Sequence, residues 1–221
     1  LALWFTVSYP VLAVLISRPA WYGYAYKARS WLSKWFLRLN GVQIKVVDKR
    51  SDSTKQHPVI LCSNHFSELD ILVILSVFSG KYAFLGKQTL AQIPLFGRFF
   101  QALDVTVNRK DAAKASSSFK AAIQQLKRGR NIVIFPEGGI KGEPPELHPF
   151  KQGAFRLAHS TQTPLLPVTI NNTWRVLHPR QKVGSPQPVS VVLHPVLEAG
   201  HQAVDDLQNR VRQQIATGLT Q

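Results

Sequence analysis

Pro58-Val59-Ile60-Leu61-Cys62-Ser63-Asn64-His65-Phe66-Ser67-Glu68-Leu69-Asp70-Ile71-Leu72-Val73-Ile74-Leu75-Ser76-Val77-Phe78 is the stretch that decides the fold. Pro58 to Ser63 is a short apolar run with the length of a buried strand. Leu69 to Phe78 is apolar at nearly every position and long enough for a buried helix. A buried strand feeding a buried helix is the repeating unit of an α/β layered domain. The same alternation continues downstream. Strands are expected at Tyr82–Leu85, Val105–Val107, Asn131–Phe135, Leu165–Ile170 and Val189–His194, and an amphipathic strand at Val42–Val47. Between them lie a helical region at Thr89–Leu103, broken around Pro94 and Gly97, and helices at Lys151–His159 and Val204–Ile215. Asp111–Arg128 is the clearest amphipathic helix: Ala112, Ala115, Phe119, Ala122, Ile123 and Leu126 share a face, and Gly129 ends it. The fold class expected is α/β, with a mixed central sheet flanked by helices. No repeat, low-complexity tract or linker divides the chain after residue 41.

Upstream of this domain the composition changes. The 221 residues carry a net charge of +15, from 27 basic and 12 acidic side chains, with 45% hydrophobic residues. Such a chain can bury a core, and its charge fits a polyanionic partner: nucleic acid, an anionic membrane or a phosphorylated substrate. Cys62 is the single cysteine, which excludes an internal disulfide framework and a CxxC zinc site. No methionine occurs, so the chain is expected to be processed or to lack its true start. Trp4, Trp21, Trp31, Trp35, Tyr9, Tyr22, Tyr24 and Tyr26 crowd the first forty residues; Trp174 and Tyr82 are the others of their kinds. Leu1 to Ser17 holds no charged residue, whereas Arg18, Lys27, Arg29, Lys34 and Arg38 follow with no acid before Asp48. Aromatic residues of this type favour headgroup depth, and cations favour anionic lipid. Residues 1–40 are therefore expected to form an N-terminal helical membrane anchor, and residues 41–221 the remaining domain. The apolar stretch is short for a spanning helix, Pro10 interrupts it, and Pro19 breaks the chain before a second helix. Two helices dipping into one leaflet are expected, with a spanning helix and a helical hairpin packed on the protein's own core as alternatives.

Three segments carry candidate chemistry. In Ser63-Asn64-His65-Phe66-Ser67-Glu68-Leu69-Asp70, His65 follows a strand end and Asp70 lies five residues on. A turn between them can place the carboxylate on Nδ1, leaving Nε2 as a general base. Ser67 and Asp70 also read as an S-x-x-D capping box, so Asp70 could serve only the helix, and His65 could be a core histidine. His65 and Glu68 have no third ligand nearby in sequence, so no metal site is expected. In Ile132-Val133-Ile134-Phe135-Pro136-Glu137-Gly138-Gly139 a buried strand enters a turn whose glycines permit close backbone approach to a ligand. Glu137 there could accept from hydroxyls or be a plain exposed turn residue. Lys87 and Arg109 each follow a strand end and could converge on a phosphate, or be solvated surface cations. No G-x-S-x-G elbow, Walker loop or G-x-G-x-x-G is present, which removes support for serine hydrolases, P-loop enzymes and dinucleotide enzymes.

Taken in order, these segments resemble the 1-acylglycerol-3-phosphate O-acyltransferase family, the glycerolipid acyltransferases. The matching residues are Asn64-His65 with Asp70; Lys87, Pro94, Gly97 and Arg109; Phe135 to Gly138; and Pro164-Leu165-Leu166-Pro167-Val168. The aromatic N-terminal helices are similar to the family's membrane-anchoring element. The resemblance implies a catalytic pair, His65 and Asp70, and substrate contacts by Lys87, Arg109, Glu137 and Gly138. It also implies an enzyme at the cytoplasmic face of the inner (plasma) membrane. That enzyme would move an acyl chain from acyl-CoA or acyl-acyl carrier protein to a lysophospholipid hydroxyl, with no cofactor and no nucleic-acid partner. One departure stands out: the family's Thr-Arg-Ser after Phe-Pro-Glu-Gly is replaced by Gly139-Ile140-Lys141-Gly142. Lys141 can restore the charge one position later, without the fork geometry of arginine. A phosphate-free acceptor such as a lyso-aminolipid, and a non-catalytic lipid-binding protein, stand as alternatives.

Overall fold

The computed structural model describes residues 2–51, 58–78, 80–107, 112–181, 184–200 and 202–219. Two helices open the chain, α1 (Ala2–Ile16) and α2 (Tyr22–Leu39), separated by a 3-10 turn at Pro19–Trp21. Then come β1 (Ile44–Asp48), β2 (Ile60–Ser63), α3 (Leu69–Val77), β3 (Tyr82–Lys87), α4 (Phe96–Leu103) and β4 (Val105–Val107). The chain continues through α5 (Ala112–Lys127), β5 (Asn131–Ile134), α6 (Gly153–Thr161), β6 (Leu165–Asn171), α7 (Thr173–Val176), β7 (Val189–Leu193) and α8 (Val204–Gly218). The seven strands form one sheet in the order β1-β7-β6-β2-β5-β3-β4. From β6 to β4 all neighbours are parallel; β7 pairs antiparallel with β6 and parallel with β1. The sheet is therefore mixed.

Alternation along the buried strands divides the core into two. Ile60, Cys62, Ile132 and Ile134 point to one face, beneath α5, α6 and α8. Leu61 and Val133 point to the other, beneath α2 and α3. Both neighbours of a residue on such a strand are apolar because both faces are covered, which is why β2 and β5 read as continuous hydrophobic runs. β1 differs. Its alternating sequence suits a half-buried strand, yet Val46 and Val47 are both 47% exposed. It is an edge strand, paired on one side only, so the layer covering the central strands does not extend over it.

The N-terminal helices are packed onto this sandwich. Leu12, Ala25, Tyr26, Phe99 and Leu103 form a third apolar cluster joining α1, α2 and α4. Arg29 of α2 reaches into the sheet layer, donating to Asp104 at 3.0 Å and to the Tyr82 carbonyl, while the Phe84 N–H donates to the same Asp104. Removing one partner of a pair this buried costs about 3–5 kcal/mol, because it strands the other charge. Burial pushes the Asp104 carboxyl above its ordinary pKa, and the Arg29 guanidinium and the Phe84 N–H oppose that shift. Pro10 lies inside α1 and does not end it. A proline deletes one N–H and one intrahelical bond, and apolar residues on both sides carry the helix through. The break falls at Pro19 instead, where the two helices meet at a bend of 118°. No single described helix is long and apolar enough to cross a bilayer.

Candidate active site

Because β6, β2, β5 and β3 run parallel, their carboxyl ends open on one edge of the sheet. Open α/β sheets build their sites on that edge. His65 lies two residues beyond β2, Glu137 three beyond β5, Thr173 two beyond β6, and Lys87 ends β3. Asn64 joins two of these strand ends, donating to the Ile170 carbonyl and accepting the Ile170 N–H, both at 2.8 Å.

The His65 Nδ1 and Asp70 Oδ2 are 3.0 Å apart. The same Oδ2 accepts the N–H groups of Phe66 at 2.7 Å and Ser67 at 2.9 Å, while Oδ1 accepts the Thr173 hydroxyl at 2.5 Å. Asp70 is wholly buried, and its position at the start of α3 is what turns it back over the loop. The dyad and one half of the capping box are thus one arrangement. Asp70 takes the Ser67 N–H as a capping box does, but the reciprocal half differs: Ser67 Oγ accepts the Leu69 N–H at 3.3 Å, and the Asp70 N–H donates to the Ser67 carbonyl at 3.1 Å. The cap fixes the carboxylate that orients the imidazole. A carboxylate only accepts, so Nδ1 carries a hydrogen, and in the neutral ring the lone pair is on Nε2. The ring also stacks on Phe135, with centroids 3.9 Å apart and planes 15° from parallel, which sets the plane in which Nε2 points.

Glu137 is 1% exposed. Its Oε1 accepts the His65 N–H at 2.9 Å and its Oε2 the His148 N–H at 3.0 Å. Burial raises its pKa, and the two N–H donors partly offset the rise. A carboxylate expected to accept from substrate hydroxyls thus lies below the surface with both oxygens engaged by main chain. Gly138 and Gly139 have φ of 83° and 143°, the turn that sends Glu137 inward. Lys87 and Lys141 are exposed. Arg109 lies outside the described residues.

Cys62 is fully buried and burial pushes its thiol pKa up, so it is neither a thiolate nor accessible. Among the described residues no group of three His, Cys, Asp or Glu could hold a metal ion. Sequence reasoning missed Thr173, Phe135 as a stacking partner, and His148. Thr173 is 103 positions from Asp70. Its only signal was a hydroxyl just past the end of a buried strand, at the edge where the other site residues lie.

A family model described as Acyltransferase matches residues 43–171. A 1-acyl-sn-glycerol-3-phosphate acyltransferase of Borreliella burgdorferi is 30% identical over 187 residues, covering 83% of this chain and 74% of the relative. An uncharacterised acyltransferase of Schizosaccharomyces pombe is 31% identical over 204 residues, covering 89% and 68%. The crystal structure of a 1-acyl-sn-glycerophosphate acyltransferase from Thermotoga maritima has the same fold, with a TM-score of 0.80 over 98% of this chain and 92% of that one, at 24% identity.

Proposed function

The chain belongs to the Acyltransferase family, and from that premise we propose that it transfers a fatty acyl group from a thioester to the free hydroxyl of 1-acylglycerol-3-phosphate, giving phosphatidic acid. The observation that carries this is the His65–Asp70 pair, held on the carboxyl edge of the sheet with Nε2 as its available base. Nε2 takes the acceptor hydroxyl's proton as that oxygen attacks the thioester carbonyl carbon. Asp70 stabilises the imidazolium. The tetrahedral intermediate collapses, the carbon–sulfur bond breaks, and the carrier leaves as thiolate or as thiol with the proton from His65. Coenzyme A and acyl carrier protein both suit this step, and no covalent acyl-enzyme is needed. Lys87 and Lys141, with Arg109, supply the positive charge for the acceptor's phosphate, and Gly138 lets backbone approach the glycerol.

A direct test compares 1-acylglycerol-3-phosphate with the monoacylglycerol that lacks only the phosphate. The phosphate should favour kcat/KM by about 10²-fold, the scale of one or two charge-assisted contacts. Lys141→Ala should lower that ratio by raising the acceptor's KM while the thioester's KM holds. Equal use of both acceptors, or better use of a lyso-aminolipid, removes the phosphate from the proposal.

The membrane role belongs to the N-terminal pair. Leu3, Val7, Val11 and Val14 form an exposed apolar stripe on α1, and Tyr24, Trp31, Trp35 and Leu39 are exposed on α2. Lys27, Lys34 and Arg38 are exposed beside them. Apolar residues with flanking cations suit helices lying in the headgroup region of an anionic leaflet. Replacing both Trp31 and Trp35 with serine should weaken co-sedimentation with anionic liposomes by at least about tenfold. Unchanged sedimentation would place the lipid contact elsewhere.

A further inference from the structure

We propose that Glu137 is a positioning residue, whose carboxylate clamps the main chain at His65 and at His148 and so sets the base rather than binding the acceptor; this rests on the acyltransferase reading above. The clamp joins two loops far apart in sequence. One follows β2 and carries His65. The other runs from the turn after β5 to His148 and carries Lys141.

Chemistry explains why a glutamate stands here. Two N–H groups point at one buried spot from opposite loops, and each needs an acceptor. A carboxylate supplies two acceptor oxygens and no donor. A glutamine amide has one oxygen, so its NH2 would face one of the two N–H groups. An aspartate is one methylene shorter, about 1.5 Å, and cannot span both loops. The backbone around Glu137 is tied down as well: the Gly138 N–H donates to the Phe135 carbonyl at 2.9 Å and the Lys151 N–H to the Pro136 carbonyl at 2.8 Å. The second loop is closed upon His148. Any side chain at Gly142, which has φ of 54°, would land on the His148 imidazole, and Glu143 beside it pairs with Arg180. The carboxylate therefore holds the His65 backbone against a loop that is itself braced.

Loss of the clamp shifts the base relative to the acyl carbon. A displacement of about 1 Å costs on the order of 10²-fold in rate. Glu137→Gln and Glu137→Asp should each lower kcat by about that factor, with KM for acceptor and thioester both within about threefold of wild type. A group that bound the acceptor directly would instead raise the acceptor's KM and leave kcat in place. Backbone amide exchange, followed by NMR, provides an arm independent of activity. In the wild type the His65 and His148 amides should be protected; in Glu137→Gln at least one should lose about tenfold protection while Leu61 and Val133, in the central strands, hold theirs. Unprotected His65 and His148 amides in the wild type overturn the clamp, as does a tenfold rise in acceptor KM at constant kcat. If no acyl transfer is found at all, the exchange arm still decides the clamp by itself.

Discussion

His65→Ala is expected to lower acyl transfer by about 10²- to 10⁴-fold, the range that a positioned general base contributes. The protein should stay folded. His65 is at the surface of the core, 12% exposed through its side chain, and its removal leaves Asp70 bonded to Phe66, Ser67 and Thr173. Sedimentation with anionic liposomes should be unchanged, because the apolar stripe and the tryptophans lie on α1 and α2. Turnover and thermal melting on the same preparation check both halves. Near-wild-type turnover would show that the acceptor hydroxyl loses its proton to another group. A melting temperature lowered by more than a few degrees would show a structural role that the geometry does not give it.

Asp70→Asn separates charge from geometry. Three donors converge on Oδ2, and the single donor on Oδ1 is a hydroxyl, which can also accept. An asparagine is therefore driven to keep its oxygen at the Oδ2 place and to turn its NH2 toward Thr173. His65 Nδ1 then still meets an acceptor, and the tautomer survives. What is lost is the negative charge that stabilises the imidazolium. Activity should fall by about 10²- to 10³-fold with the fold intact. Asp70→Ala should lose as much activity and also stability, since the N–H groups of Phe66 and Ser67 are left buried without an acceptor, each at about 1–3 kcal/mol. Equal stability losses in the two variants would contradict the assigned hydrogen-bond directions.

The α/β layering and the dyad were legible because their signals are local. β2 and α3 are apolar at nearly every position, β2 because both of its faces are covered, and His65 and Asp70 are five residues apart across one turn. The rest depended on distance and packing. Glu137 could be placed at a strand end from its sequence, but its partners His65 and His148 are 72 and 11 residues away, and nothing local says that a turn glutamate points inward. Thr173 reaches Asp70 only because β6 lies beside β2 in the sheet. The exposure of Val46 and Val47 follows from β1 being an edge, and strand order is absent from hydrophobic periodicity. Pro10 misled in the opposite way: its local preference for ending a helix lost to the apolar residues on either side. The positive charge also divides on inspection. Arg29 is spent inside the fold on Asp104, whereas Lys27, Lys34 and Arg38 remain exposed on the same helix.

The most direct test of acyl transfer to a phosphate-bearing lysolipid is mass-spectrometric identification of the product. Purified protein is given 1-acylglycerol-3-phosphate and an acyl thioester, on coenzyme A and on acyl carrier protein separately, with His65→Ala run beside it. The expected result is phosphatidic acid with at least one carrier, and little or none with His65→Ala. No phosphatidic acid from folded wild-type protein with either carrier, or equal amounts from both proteins, would contradict it.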